Sequence, residues 1–150
     1  MTPQEFTKLI EKKALEIVEL QKRKLPIMVG VTARDHFKQN FIEGGFVNGG
    51  LQKWQPSKRL SSTSKKADKK NKTLLSGRNH LYNSVLHVPA EYEVRIINEV
   101  PYAAVHNEGL RAGRGKGFTM PKRQFIGESQ ELTQKVNHLI ETELTNILKS

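Results

Sequence analysis

The sequence predicts an α+β fold in which an antiparallel β-sheet packs against N- and C-terminal helices. Apolar residues recur at three- and four-residue spacing near both ends of the chain. Between them, two short apolar runs flank Pro89-Ala90-Glu91 in the pattern of a hairpin. No strand-helix-strand alternation of the kind that a parallel sheet needs is present. The 150 residues fit one domain, and no internal repeat is visible.

Taking the elements in order, Thr2-Pro3-Gln4-Glu5 has the form of a capping box. The Thr2 hydroxyl can accept from the Glu5 amide, and Pro3 at the first helical position has no amide to leave unpaired. Phe6, Leu9, Ile10, Ala14, Ile17 and Val18 then form one apolar stripe, with Glu11, Lys12, Glu16 and Glu19 outside it. Lys22, Arg23 and Lys24 suit the negative end of the helix dipole, and Pro26 disfavours helical geometry at Leu25, so a break or kink is expected there. A second helix is expected over 27–41, where Val29, Ala33, Phe37 and Phe41 align at four-residue steps, ending at Gly44-Gly45. The stretch 44–72 reads as a glycine-rich irregular segment anchored by Trp54, followed by a polar loop, mobile over about 57–73.

Leu74, Leu75, Leu81 and Val85 give a helical pattern over 74–84, with Gly77 permitting close approach of a neighbouring backbone. In the hairpin over 85–88 and 92–97, Tyr92, Val94 and Ile96 alternate with Glu93, Arg95 and Ile97, so one face is expected to be buried. A short helix enters through Pro101 and stops at Gly109. A glycine and arginine loop at about 110–117, a short strand at 118–120 and an extended arm over 121–127 follow. Leu132, Val136, Leu139, Ile140, Leu144, Ile147 and Leu148 make the clearest stripe, a final helix expected to lie on the sheet, with Glu128 and Glu131 at its positive end.

A domain of this length buries about 68–70% of its unfolded surface and folds without a metal or a disulfide. Cysteine is absent, which excludes disulfides, thiolate catalysis and Cys-ligated zinc and makes a reducing cytosol the default compartment. The N-terminal residues lack the pattern of a secretion signal, and no apolar run approaches a membrane span, so no membrane partner is expected.

The formal charge of +10 is unevenly spread. From Lys53 to Arg78, nine basic residues face one acid, Asp68, for a net of +8. From Arg111 to Arg123 there are five basic residues and no acid, a net of +5. The remainder of the chain is therefore at −3. Such a distribution suits loops that meet an anionic partner, although a Lys-rich loop taken alone more often serves only solvation. The candidate contacts are Lys65, Lys66, Lys69, Lys70 and Lys72 in the first segment and Arg111, Arg114 and Lys116 in the second.

Reaction chemistry is hard to place. The five histidines, His36, His80, His87, His106 and His138, fall on separate elements with no ligand spacing, so no metal is assigned. No Gly-x-Ser-x-Gly elbow supplies a nucleophile. Gly113-Arg114-Gly115-Lys116-Gly117 lacks the Lys-Ser/Thr ending of a nucleotide loop, though a mobile cationic loop can follow a phosphate backbone. Trp54, the single tryptophan, reads as a pin for its loop rather than a stacking platform. No catalytic residue, metal or cofactor is assigned.

Three runs of the second half, together with a tryptophan ahead of them, carry a resemblance. Leu75-Ser76-Gly77-Arg78-Asn79-His80-Leu81-Tyr82-Asn83-Ser84, Pro101-Tyr102-Ala103-Ala104-Val105-His106-Asn107-Glu108-Gly109 and Pro121-Lys122-Arg123-Gln124-Phe125-Ile126-Gly127 follow one another, with Trp54 before a Lys- and Ser-rich loop. In this order they resemble the phage virion morphogenesis family, the Mu protein G-like tail-completion and head-tail joining proteins of long-tailed phages. The match runs from about residue 44 to the C-terminus. The corresponding motif residues here are Trp54, Gly77, Pro101, Tyr102, His106, Gly109, Pro121, Arg123, Phe125 and Gly127.

The resemblance implies structural devices rather than a reaction centre: Tyr102 and His106 facing the sheet from a short helix, Gly109 ending it, and Phe125 locking an arm bracketed by Pro121 and Gly127. It also implies a non-enzymatic virion assembly protein, contacting portal, connector or tail subunits at the neck or tail end. Such a subunit is expected in a homo-oligomeric ring once assembled, as a monomer when free, and in the host cytoplasm during assembly. The alternative is a stand-alone protein that binds duplex nucleic acid through the two basic loops.

Overall fold

The computed structural model describes all 150 residues. Helix α1 (Pro3–Glu19) opens on the expected capping box: Thr2 Oγ1 accepts from the Glu5 amide at 3.1 Å, and the Thr2 amide donates to the Glu5 carboxylate at 2.7 Å. The helix does not break at Pro26. A π-helical turn, Leu20–Lys24, joins α1 to α2 (Leu25–Glu43), and the Leu25 amide closes it by donating to the Leu20 carbonyl.

The reason is visible in the hydrogen bonds. Pro26 has no amide for the Lys22 carbonyl four residues back, and the Tyr92 amide donates to that carbonyl instead, at 3.1 Å. Lys22 Nζ also lies 3.6 Å from the Glu91 carboxylate. A hairpin tip from far along the chain thus satisfies the group that the proline orphans. The joined helix spans 3–43 and ends at Gly44, whose φ of 74° is the left-handed conformation that glycine adopts without strain.

The glycine-rich stretch is not irregular but forms a tight hairpin, β1 (Gly45–Val47) with β2 (Leu51–Lys53), in the register Phe46 to Gln52. Gly49 and Gly50 turn it with φ of 66° and 112°. A 3₁₀ turn (Lys58–Ser61) opens the first basic loop. The helix expected over 74–84 shrinks to one turn, α3 (His80–Asn83), because Leu74 and Asn79 take positive φ of 65° and 48°. Gly77 is exposed and a side chain there would meet nothing within 4 Å, so it serves no close approach.

β3 (Leu86–Ala90) and β4 (Glu93–Ile97) form the central hairpin, with Pro89 inside β3 opposite Val94. An unpaired edge tolerates that proline, and the turn moves to Glu91-Tyr92. The close approach belongs to Gly30 on α2, where an added Cβ would lie 2.8 Å from Val94 and 2.9 Å from His87. Next come α4 (Ala103–Glu108), closed by Gly109 at φ 70°, and a third hairpin, β5 (Arg111–Ala112) with β6 (Phe118–Thr119). The expected single sheet is divided into three separate two-stranded ladders.

The final helix α5 (Gln130–Lys149) starts at Ser129, whose Oγ accepts from the Leu132 amide. It lies against α1 and α2, not on a sheet, since no hairpin is wide enough to receive its stripe. Lys13 Nζ on α1 donates to the Ile147 carbonyl at 2.6 Å near its far end.

The core gathers where α2 meets the segments that follow. Ala33, Phe37 and Phe41 of α2 pack with Phe46, Trp54, Leu81, Val85, Val100, Ala103 and Phe125. Phe41 is fully buried, its ring 5.1 Å from that of Phe125 and 5.8 Å from that of Trp54. Burying one such ring contributes about 1.5–3 kcal/mol.

Candidate interaction surface

Residues 121–127 form the expected extended arm, and several of its backbone groups are held from α2, α4 and Trp54. The Arg123 amide donates to the His106 carbonyl at 2.7 Å. Asn107 Oδ1 accepts from the Phe125 and Ile126 amides at 2.9 and 3.0 Å. Trp54 Nε1 donates to the Gln124 carbonyl at 2.8 Å, and Asn40 Nδ2 to the Phe125 carbonyl at 3.0 Å. Trp54 therefore pins the arm to its own loop with its ring in the core.

The glycines of the arm region have separate reasons. At Gly109 a Cβ would sit 2.9 Å from Lys122 Cβ and 3.1 Å from its backbone, in addition to the left-handed φ. At Gly127 it would collide with the Gln124 amide. Phe125 is 1% exposed and Arg123 is buried beside it, whereas Pro121 is half-buried and Pro101 exposed.

Tyr102 and His106 do not both face a sheet. Tyr102 stands just before α4 and is 44% exposed, and its ring meets the His106 ring edge-on at 6.0 Å. Both line a cleft with Arg59 and Arg123. Burial, then the charge of Arg123, pushes the His106 imidazole below its usual pKa. Its Nδ1 is buried without a hydrogen-bond partner in the protein.

A second histidine is committed structurally. Lys135 Nζ donates to His36 Nδ1 at 3.0 Å, which leaves Nε2 to donate to Ser129 Oγ at 3.0 Å, and Ser129 Oγ donates to the Val47 carbonyl at 2.6 Å. This relay ties α2, α5 and β1 and requires a neutral ring. Burial, then Lys135, lowers its pKa accordingly, against an opposing pull from Glu131.

All eight candidate cations of the two basic segments are exposed. Lys72 Nζ reaches the Ile42 carbonyl at 2.9 Å, and Arg111 donates across its own hairpin to the Lys116 carbonyl. Gly113, Gly115 and Gly117 all take left-handed φ, which lets the chain reverse and present Arg114 and Lys116 at the tip.

The first loop has an organiser that its charge pattern conceals. Arg59 donates through Nη1 to the Asp68 and Asn71 carbonyls, both at 2.7 Å, and through Nη2 to those of Lys72 and Leu75, at 2.7 and 2.9 Å. Asn71 hydrogen bonds hold the Asp68 carboxyl below its usual pKa. A groove of about 550 Å³ lined by Gln55, Ser57, Lys58 and residues 118–121 and 123 joins the root of this loop to the second hairpin. The two basic segments are thus neighbours on one side of the molecule.

The profile of the phage virion morphogenesis family matches residues 5–145. The chain belongs to that family. The membership extends the four motifs to nearly the whole chain, including α1 and most of α5. No curated protein and no solved structure matches the chain. A member of this family has a structural or assembly role in the phage particle and interacts with other virion proteins.

Within this setting most of the motif residues fall into two groups. Trp54, Gly109, Phe125 and Gly127 lie where the arm is held, while Tyr102, His106 and Arg123 line the cleft beside the basic loop; Gly77, Pro101 and Pro121 belong to neither group. Asn40, Asn107 and Arg59 do comparable work and were not singled out from the sequence. A polar residue inside an apolar helical stripe, as Asn40 is beside Phe37 and Phe41, was the available signal. No three His, Asp or Glu side chains come close enough together to hold a metal. No helix is long and apolar enough to cross a membrane.

Proposed function

We infer that this protein is a non-enzymatic tail-completion or head-tail joining subunit, docking through its basic side to neighbouring virion proteins in a ring-like assembly. The observation that carries the reading is the division of labour among its polar residues. Trp54 and Asn107 of the family motifs turn inward to brace the arm, whereas the eight candidate cations stand exposed on the two basic loops. A ring multiplies weak contacts, so a subunit that is monomeric when free suits the reading.

The test is genetic complementation. A phage or prophage lacking this gene should produce heads and tails that fail to join or to finish, with infectious titre restored by the wild-type chain. Replacing Lys65, Lys66, Lys69, Lys70 and Lys72 by Gln should leave the fold intact and restore titre poorly. Normal particles from the deletion would refute the assembly role. The competing reading, a free duplex-binding protein, requires submicromolar binding by the isolated chain at near-physiological salt. With about six phosphate contacts, log K against log salt would fall with a slope of roughly −5.

A further inference from the structure

Building on that assembly role, we propose that the cleft between the first basic loop and the arm is a socket for a carboxylate side chain of a neighbouring virion protein. The cleft measures about 230 Å³ and contains Arg59, Arg123 and His106 without a single Asp or Glu in its lining. Arg123 is only 5% exposed. Its Nε donates to the Gln55 carbonyl at 2.8 Å and its Nη2 to the Pro56 carbonyl at 3.3 Å, which fixes the plane of the guanidinium and leaves Nη1 without a partner.

Arg59 supplies a second fixed charge. Its terminal nitrogens are held by four loop carbonyls, and Asp68, outside the cleft lining, pairs with it at 3.9 Å. Burial and the Arg59 charge both lower the Arg123 pKa, as happens when a buried cation lacks a counter-charge. Buried charges are retained where something pairs with them. Backbone carbonyls supply only dipoles to Arg123, so its counter-charge comes from a ligand.

Guanidinium groups bind carboxylates and phosphates through the same planar fork. The walls distinguish the two sources. Leu74, Leu75, Leu81 and Met120 line the same recess, and they suit the methylene stem of a glutamate entering end-on. A duplex presents its phosphates on a convex polar rod, which reaches exposed loop lysines more readily than an arginine this deep. Exposed Lys58, Lys72 and Lys122, each next in sequence to a residue of the lining, steer an acidic partner towards it.

The experiment is an NMR titration of the free, full-length chain that follows the Arg123 Nε and His106 ring signals. The probes are a capped Gly-Glu-Gly peptide, its Gly-Gln-Gly counterpart, inorganic phosphate and a short DNA duplex. The glutamate peptide should saturate both signals with an affinity of about millimolar order, and the glutamine peptide should bind at least about tenfold more weakly. Arg123→Lys keeps a charge but loses the fork and should weaken the glutamate peptide by about tenfold. If that variant fails to fold, the wild-type titration decides alone. No response, equal responses to both peptides, or tighter binding of phosphate or duplex at these signals overturns the socket. Because no particle is involved, a negative result leaves the assembly role standing, whereas normal particles from the gene deletion would sink that role and not the chemistry of the cleft.

Discussion

Replacing Asn107 by Ala removes the acceptor of two amides in the middle of the arm. Asn107 Oδ1 accepts from Phe125 at 2.9 Å and from Ile126 at 3.0 Å, and neither amide has another acceptor. Each buried donor left unpaired costs about 1–3 kcal/mol. Ile126 is half-buried and its amide can recover part of that loss from water, so the total is roughly 2–4 kcal/mol. For a chain of this size the midpoint of thermal unfolding should fall by roughly 5–15 °C. Trp54 provides the assay, since the single tryptophan donates to the carbonyl of Gln124, immediately before the affected amides. Asn107→Asp keeps the acceptor and should recover most of the loss, giving up only the exposed contact with Glu108. A shift below about 2 °C for the alanine variant, or an equal shift for both variants, would refute the view that this side chain holds the arm.

Gly109→Ala combines a left-handed φ with a contact against the Lys122 backbone and should cost roughly 2–3 kcal/mol, read as a lower denaturant midpoint. The two histidines with depressed pKa, His36 and His106, stay neutral in the folded state while the unfolded chain takes up protons below its ordinary value near 6.5. Their contribution is therefore complete above that pH and is lost as pH falls through the depressed folded values; His36→Gln should flatten this part of a Tm-pH profile, and an unchanged profile would count against the relay. Arg59→Gln frees four loop carbonyls, so cleavage by a lysine-specific protease between Lys65 and Lys72 should quicken by about tenfold or more, with the core's unfolding midpoint little changed.

What the sequence disclosed was local chemistry. The Thr2 to Glu5 capping box and the helix stops at Gly44 and Gly109 depend on neighbours a few residues away and appear as expected; α1 and α5 are helices as their stripes predict, but the α1 stripe is largely uncovered, with Phe6, Leu9, Ile10 and Val18 exposed. The hairpin over 86–97 was legible by alternation, but its turn lies beyond Pro89 because an unpaired edge asks no amide of that residue. Pro26 misled for a different reason. The amide that replaces its missing hydrogen bond comes from Tyr92, and no local pattern announces such a partner. Charge counting had a similar blind spot. It placed the exposed lysines correctly as surface groups, yet it could not separate them from Arg59 and Arg123, which turn away from solvent to bind main-chain carbonyls. A count of charge carries no information about direction.

Three two-stranded ladders without a shared strand leave each hairpin dependent on the helix or loop behind it. Amide exchange should accordingly divide into three blocks with separate opening energies instead of one cooperative sheet. A subunit built this way can loosen one ribbon against a neighbouring virion protein while the other two keep their hold, so fitting to an imperfectly matched partner need not propagate through the whole molecule.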